Sequence, residues 1–146
     1  MNSYERVINV LKHKKVDRVP TFEWLIDANI IDSIYPNSTY EEFICKMDLD
    51  AFVIEVDYEN QEIKDNLYKD EWGIIRKDTG EAYRIPISGP IKNIKDFKKY
   101  QPPDPYKDGR YKTLNYYLKK YKNQKAIILH LNDVFSIPSR LMKYED

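Results

Sequence analysis

Few residues of this sequence are suited to chemistry, and most of them sit at the ends of apolar runs. Glu23 and Asp27 lie at and just beyond the end of the run 19–25. Glu55, Asp57 and Glu59 gather at the end of the run 51–57, and His130 stands near the end of 125–131, followed by Asn132 and Asp133. Of these, Glu23, Asp57 and His130 are the candidates for a site. The plainer alternatives are a solvated acid for Asp57, an edge or loop acid for Glu23, and a satisfied, partly buried histidine for His130. Zinc takes three or four ligands from His, Cys or carboxylate, but His13, His130 and Cys45 are scattered without ligand spacing. His13, in the basic end of the first helical stretch, reads as solvated or helix-capping. Cys45, beside Phe43 and Ile44, reads as a small packed side chain. The run Tyr111–Tyr121 interleaves tyrosines with Lys112, Lys119 and Lys120. Helical spacing puts these lysines mostly opposite the apolar stripe, which marks a solvated helix face and not a nucleic-acid platform. With four glycines there is no Gly-rich phosphate loop and no dinucleotide fingerprint, and no Ser-His-Asp arrangement is present.

These residues must be positioned by a succession of helices and strands. Ser3 caps a first helix with Glu5 in its first turn and Val7, Ile8 and Leu11 at helical spacing; it closes near Lys15, because Pro20 forces extended geometry before it. Val19–Leu25 reads as a strand. Short helices follow over 27–34 and 40–47, the second capped by Ser38 or Thr39. The run 51–57 is nearly all apolar at its centre, which suits a parallel strand buried on both faces. Asn60–Lys69 is polar, helix or loop. Glu71–Arg76 and Glu81–Ile87 form a hairpin around Lys77–Gly80, with Trp72 packed on the body of the domain. A short helix spans 93–100, and a longer one spans 110–121, burying Leu114, Tyr117, Leu118 and Tyr121. A third strand covers 125–131, and a last helix runs from Ser139 to Asp146. Three buried strands separated by helices imply parallel pairing through right-handed crossovers. The chain is expected to form one α/β domain, 1–146, whose open strand edges look like part of a larger sheet or barrel.

Composition bounds the rest. Apolar residues make up 42% of the sequence, a globular proportion. Lys plus Arg number 24 and Asp plus Glu number 24, so the balance offers no electrostatic footprint for nucleic acid or an acidic membrane. A single cysteine excludes an internal disulfide and makes the cytoplasm the default location. No apolar run is long enough to span a bilayer.

Several segments, in order, carry a resemblance. Arg6-Val7, Leu11-Lys12 and Asp17-Arg18-Val19-Pro20 resemble the amino-terminal signature of the uroporphyrinogen decarboxylase (URO-D) superfamily. Asp70-Glu71-Trp72-Gly73-Ile74-Ile75 with Gly80, then Gly89-Pro90-Ile91-Lys92-Asn93, Phe97 and Pro103-Asp104-Pro105, are similar to its methyltransferase-like branch, that of the corrinoid/coenzyme M methyltransferases. Phe135-Ser136 and Leu141-Met142 resemble the segment after the third strand.

The resemblance implies a (β/α)8 TIM barrel, a fold of about 250 residues, of which this chain would be the amino-terminal three β/α units with an inserted β-hairpin. It implies a site at the carboxyl ends of the strands. Asp57 matches the aspartate that binds pyrrole nitrogens in the decarboxylases, a catalytic residue there. Glu23 and His130 would line the site mouth and bind substrate. The arginines that pair with substrate carboxylates in the decarboxylases are absent, because the segment here reads Leu25-Ile26-Asp27-Ala28-Asn29. That departure favours the methyltransferase side. Zinc and a corrinoid are implied for the complete fold, the zinc ligands belonging to its carboxyl-terminal half and none to this segment. Partners would be a second-half chain, a second copy of this chain, or a corrinoid protein. The alternatives are a non-catalytic remnant or split subunit that acts by association, and a decarboxylase-type lyase using Asp57. The isolated chain is expected to be inactive, and to be marginally stable, oligomeric or aggregation-prone.

Overall fold

A computed structural model describes residues 1–142. In chain order the elements are α1 (Ser3–Leu11), α2 (Ala28–Ile34), α3 (Tyr40–Lys46), β1 (Ala51–Glu55), β2 (Asn60–Lys64), β3 (Leu67–Asp70), β4 (Ile75–Lys77), β5 (Ile85–Ser88), α4 (Ile94–Lys99), α5 (Lys112–Tyr121), β6 (Ala126–His130) and α6 (Ser136–Met142). The protein is mixed α/β, with a two-stranded parallel sheet β1-β6 and a four-stranded antiparallel sheet β2-β3-β4-β5; neither closes into a barrel. The chain divides into two compact units, one of Met1–Val56 with Tyr111–His130, the other of Asp57–Arg110 with the chain from Leu131 onward.

In the first unit, apolar runs at 51–55 and 126–130 pair in parallel, as their composition predicts, with Ala51 opposite Ala126 and Glu55 opposite His130. On one side Val7 of α1 meets Ala51 and Ala126. On the other, Phe52, Ile44 and Ile54 pack with Leu114, Tyr117 and Tyr121, the rings of Tyr117 and Tyr121 centred 4.7 and 4.6 Å from that of Phe52. Leu118, expected in this core, faces solvent. The cap of α1 is Asn2, not Ser3: Asn2 Oδ1 accepts from the Glu5 N–H at 2.8 Å, and Glu5 answers by accepting from the Asn2 N–H. The helix ends at Leu11, before Lys15. His13 takes a left-handed conformation (φ 54°), and Lys14 N–H turns back to Asn9 O at 2.8 Å, closing the last turn.

The expected first strand, 19–25, does not form. The segment follows the free edge of β1 without a ladder. Asp50 N–H donates to Thr21 O at 2.7 Å, but the return bond from Thr21 N–H goes to the Asp50 carboxylate at 2.8 Å and not to the backbone. Pro20 has no N–H to extend the pairing, and Val19 stays 78% exposed.

The second unit corrects a further expectation. The stretch 60–69 is neither helix nor loop but the hairpin β2-β3, turning at Asp65-Asn66 with Asn66 at φ 60°. It continues through the expected hairpin β4-β5, whose connection contains Gly80 at φ 81°. The core of this unit is Ile74, Ile91, Ile137 and Leu141, with Trp72 and Tyr100 packed against it. The last helix begins at Ser136, three residues earlier than expected; its predicted extension to Asp146 lies outside the described residues. Among the described residues no helix is long and apolar enough to cross a membrane.

Candidate functional site

The parallel register sets Glu55 and His130 side by side at the carboxyl ends of β1 and β6. Active sites of parallel β/α folds form at this end of the strands. His130 Nδ1 lies 3.2 Å from Glu55 Oε1. Trp24 Nε1–H donates to the same oxygen at 3.3 Å, and the indole leans on the imidazole with ring centroids 4.6 Å apart. The contact is open to solvent, the histidine side chain being 32% exposed and the glutamate 48%.

The chemistry follows from donor and acceptor roles. An ionised carboxylate only accepts, so the neutral imidazole must carry its proton on Nδ1, and Nε2 is left with its lone pair. A histidine held in this way is equipped for general acid–base work. Trp24 fixes the carboxylate and covers one face of the ring.

Of the residues singled out by sequence, only His130 belongs to this contact. Glu23 is exposed beside Trp24 and takes no part in it. Asp57 lies beyond the end of β1, in the other unit, half-buried, with its backbone N–H donating to Arg110 O at 2.9 Å. Sequence reasoning missed Trp24 and passed over Glu55. The available signal was the repeated start of the two strands: counting from Ala51 and from Ala126 reaches Glu55 and His130 at the same step. Cys45 is exposed, not packed; its thiol faces the Tyr121 hydroxyl at 3.8 Å.

The opposite end of β1 holds an ionic network of Arg6, Asp17 and Arg18 around Asp50. Asp50, fully buried, receives the guanidinium of Arg6 at one oxygen and that of Arg18 at the other, the latter at 2.6 Å. Arg6 also pairs with Asp17 through Nε at 2.7 Å and Nη2 at 2.9 Å. Burial pushes the Asp50 carboxyl up, but the Thr21 N–H, Arg18, Ser3 and Arg6 outweigh it and hold the group below its ordinary value. The Arg6 guanidinium chiefly holds Asp17 well below the usual carboxylate range. The conspicuous Arg6, Asp17-Arg18 pattern therefore anchors α1 and the following loop to the start of β1.

Among the described residues, no group of three or more His, Cys, Asp or Glu is placed to hold a metal. His130 and Glu55 are two donors, fewer than zinc needs, so the described residues do not by themselves fit the zinc that the resemblance implies. No protein family, curated protein or solved structure matches this chain.

Proposed function

We propose that the chain supplies the amino-terminal β/α units of a uroporphyrinogen-decarboxylase-like (β/α)8 barrel of the methyltransferase branch, with its reacting end at Glu55 and His130. The observation that carries this reading is the parallel alignment of these two side chains, in contact, at the carboxyl ends of neighbouring strands. The path of 19–25 adds support. It meets Asp50, just before β1, at Thr21 and β1 itself at Trp24–Glu55, running in the direction a neighbouring parallel strand would take.

In this role His130 accepts at Nε2 the proton of an acceptor thiol, leaving a thiolate, and Glu55 holds the imidazolium so formed. No step is routed through zinc or a corrinoid, since the described residues give neither a ligand set. A corrinoid protein is the proposed methyl-donor partner. The segment Leu25–Asn29 offers no arginine for a polycarboxylate substrate, which sets the decarboxylase alternative below this one.

The test uses the protein as its own cell assembles it. Native assemblies are assayed for methyl transfer from methylcobalamin to a small thiol, alongside His130→Gln and Asp57→Asn. The expected result is transfer by the wild type and loss of about 10²-fold or more in His130→Gln, the size of a general-base contribution. No transfer by the native assembly, or an unchanged rate in His130→Gln, would refute the proposal. An unchanged rate in Asp57→Asn removes that aspartate from the mechanism.

A second reading, association without catalysis, is favoured by one observation: among the described residues β1 and β6 pair only with each other, and Phe22, Trp24 and Leu25 are exposed. Sedimentation showing a concentration-independent monomer would remove it.

A further inference from the structure

We propose that Arg140 is the anchor of a binding site for a small organic carboxylate in the second unit, independent of the strand-end site. The sequence contains six arginines. Five are neutralised by carboxylates: Arg6 by Asp17, Arg18 by Asp50, Arg76 by Asp70, Arg84 by Asp78 and Arg110 by Glu71. Arg140, half-buried, forms no ion pair among the described residues. Its Nη1 donates to the side-chain oxygen of Asn132 at 3.0 Å. The Asn132 amide is in turn oriented by Tyr58, whose hydroxyl accepts from Nδ2 at 3.4 Å.

The guanidinium is held in place from several sides. Its carbon lies 5.7 Å from the centre of the Tyr83 ring. Arg76 lies at the same distance from that ring and donates to the Tyr83 hydroxyl at 2.9 Å. The helix beneath is locked. Leu141 O accepts from Ile91 N–H at 3.1 Å, and it passes so close to Gly89 that a Cβ there would lie 2.0 Å from it. Asp133, the acid nearest in sequence, feels the Arg140 charge without bonding to it; its oxygens are committed to the start of α6, accepting from Phe135 N–H at 2.7 Å and Ser136 N–H at 2.6 Å. An amide satisfies one edge of the Arg140 fork without cancelling its charge. The remaining donors have the spacing of a carboxylate, which arginine grips through two parallel bonds.

The test is arginine modification by phenylglyoxal on the whole protein, read by peptide mass spectrometry. Arg140 should react faster than each of the five paired arginines. Succinate should slow its modification by about tenfold, the effect expected of one charge-assisted bidentate pair, while sodium chloride at equal ionic strength should not. Titration of succinate followed by amide NMR shifts should show binding to the wild type, and a loss of about tenfold in affinity in Asn132→Ala and in Arg140→Lys, each checked for an unchanged spectrum elsewhere. An Arg140 that reacts no faster than the paired arginines, or chloride protection equal to that of succinate, would overturn the proposal. Protection by phosphate but not succinate would overturn the assignment to a carboxylate.

Discussion

The two ends of β1 carry one carboxylate each, in opposite conditions. At the amino end Asp50 is fully buried and met by two guanidiniums and a backbone N–H. At the carboxyl end Glu55 is half in water and, among the described residues, holds an imidazole and an indole. A buried, fully paired carboxylate has no freedom to change charge, so it serves as a structural pin. An exposed carboxylate in contact with a histidine stays open to solvent. On the proposed function, the same strand separates stability from chemistry, as parallel β/α folds do between their two faces.

The comparison is broken most severely at Asp50. Asp50→Ala takes the buried acceptor from Arg6, Arg18 and the Thr21 N–H at once, leaving Arg6 only Asp17, and should cost about 3–5 kcal/mol, the usual result of removing one member of a buried ionic group; urea unfolding measures it. A loss below about 1 kcal/mol, the value of an exposed pair, would show that the network is no pin.

Acid should act in the same place. The Asp17 and Asp50 carboxyls are held below their ordinary values in the folded protein. Their stabilisation is thus complete above the unfolded value, about 3.9, and is lost as pH falls through the lower folded values. Stability measured from pH 7 downward should stay level with respect to these groups until about pH 4 and then fall. The pH-dependent part of that fall should disappear in Asp50→Asn to the extent that Asp50 carries it.

A packing change in the second unit gives a scale for these electrostatic losses. Gly89→Ala drives a Cβ into the Leu141 carbonyl and should cost about 1–3 kcal/mol, as other overpacking does, less than Asp50→Ala. The smallest effect on stability is expected at the carboxyl end of β1. Glu55→Gln should change unfolding by no more than about 0.5 kcal/mol while altering the state of the His130 ring. A large loss of stability there would make Glu55 a second structural pin and erase the contrast.

Much of this was legible in the sequence, for reasons that also explain the misses. The strands β1 and β6 announce themselves as short apolar runs, and α2, α3 and α4 carry capping residues, Asp27, Thr39 and Asn93, that the structure uses as caps. The segment 19–25 has a strand's composition, yet a side chain, that of Asp50, takes the hydrogen bond that would have begun the ladder. No local pattern in 19–25 encodes that. β2 is exposed along its whole length, so its residues have no inner face and show no alternation. Half of the strand-end site was visible, because a histidine at a strand end attracts notice. Glu55 became informative only when the register placed it opposite His130. Arg140 stood out only once the other arginines had found their partners.

The most direct test of the central claim, that Glu55 fixes His130 for proton transfer at the strand ends, is the ¹⁵N NMR spectrum of the His130 ring. The signal can be assigned against His130→Gln, since His13 is the only other histidine. Above the pH at which the ring is neutral, the wild type should show the proton on Nδ1 and an unprotonated Nε2, and Glu55→Gln should lose that preference. A wild-type ring protonated on Nε2, or a spectrum unchanged by Glu55→Gln, would contradict the account.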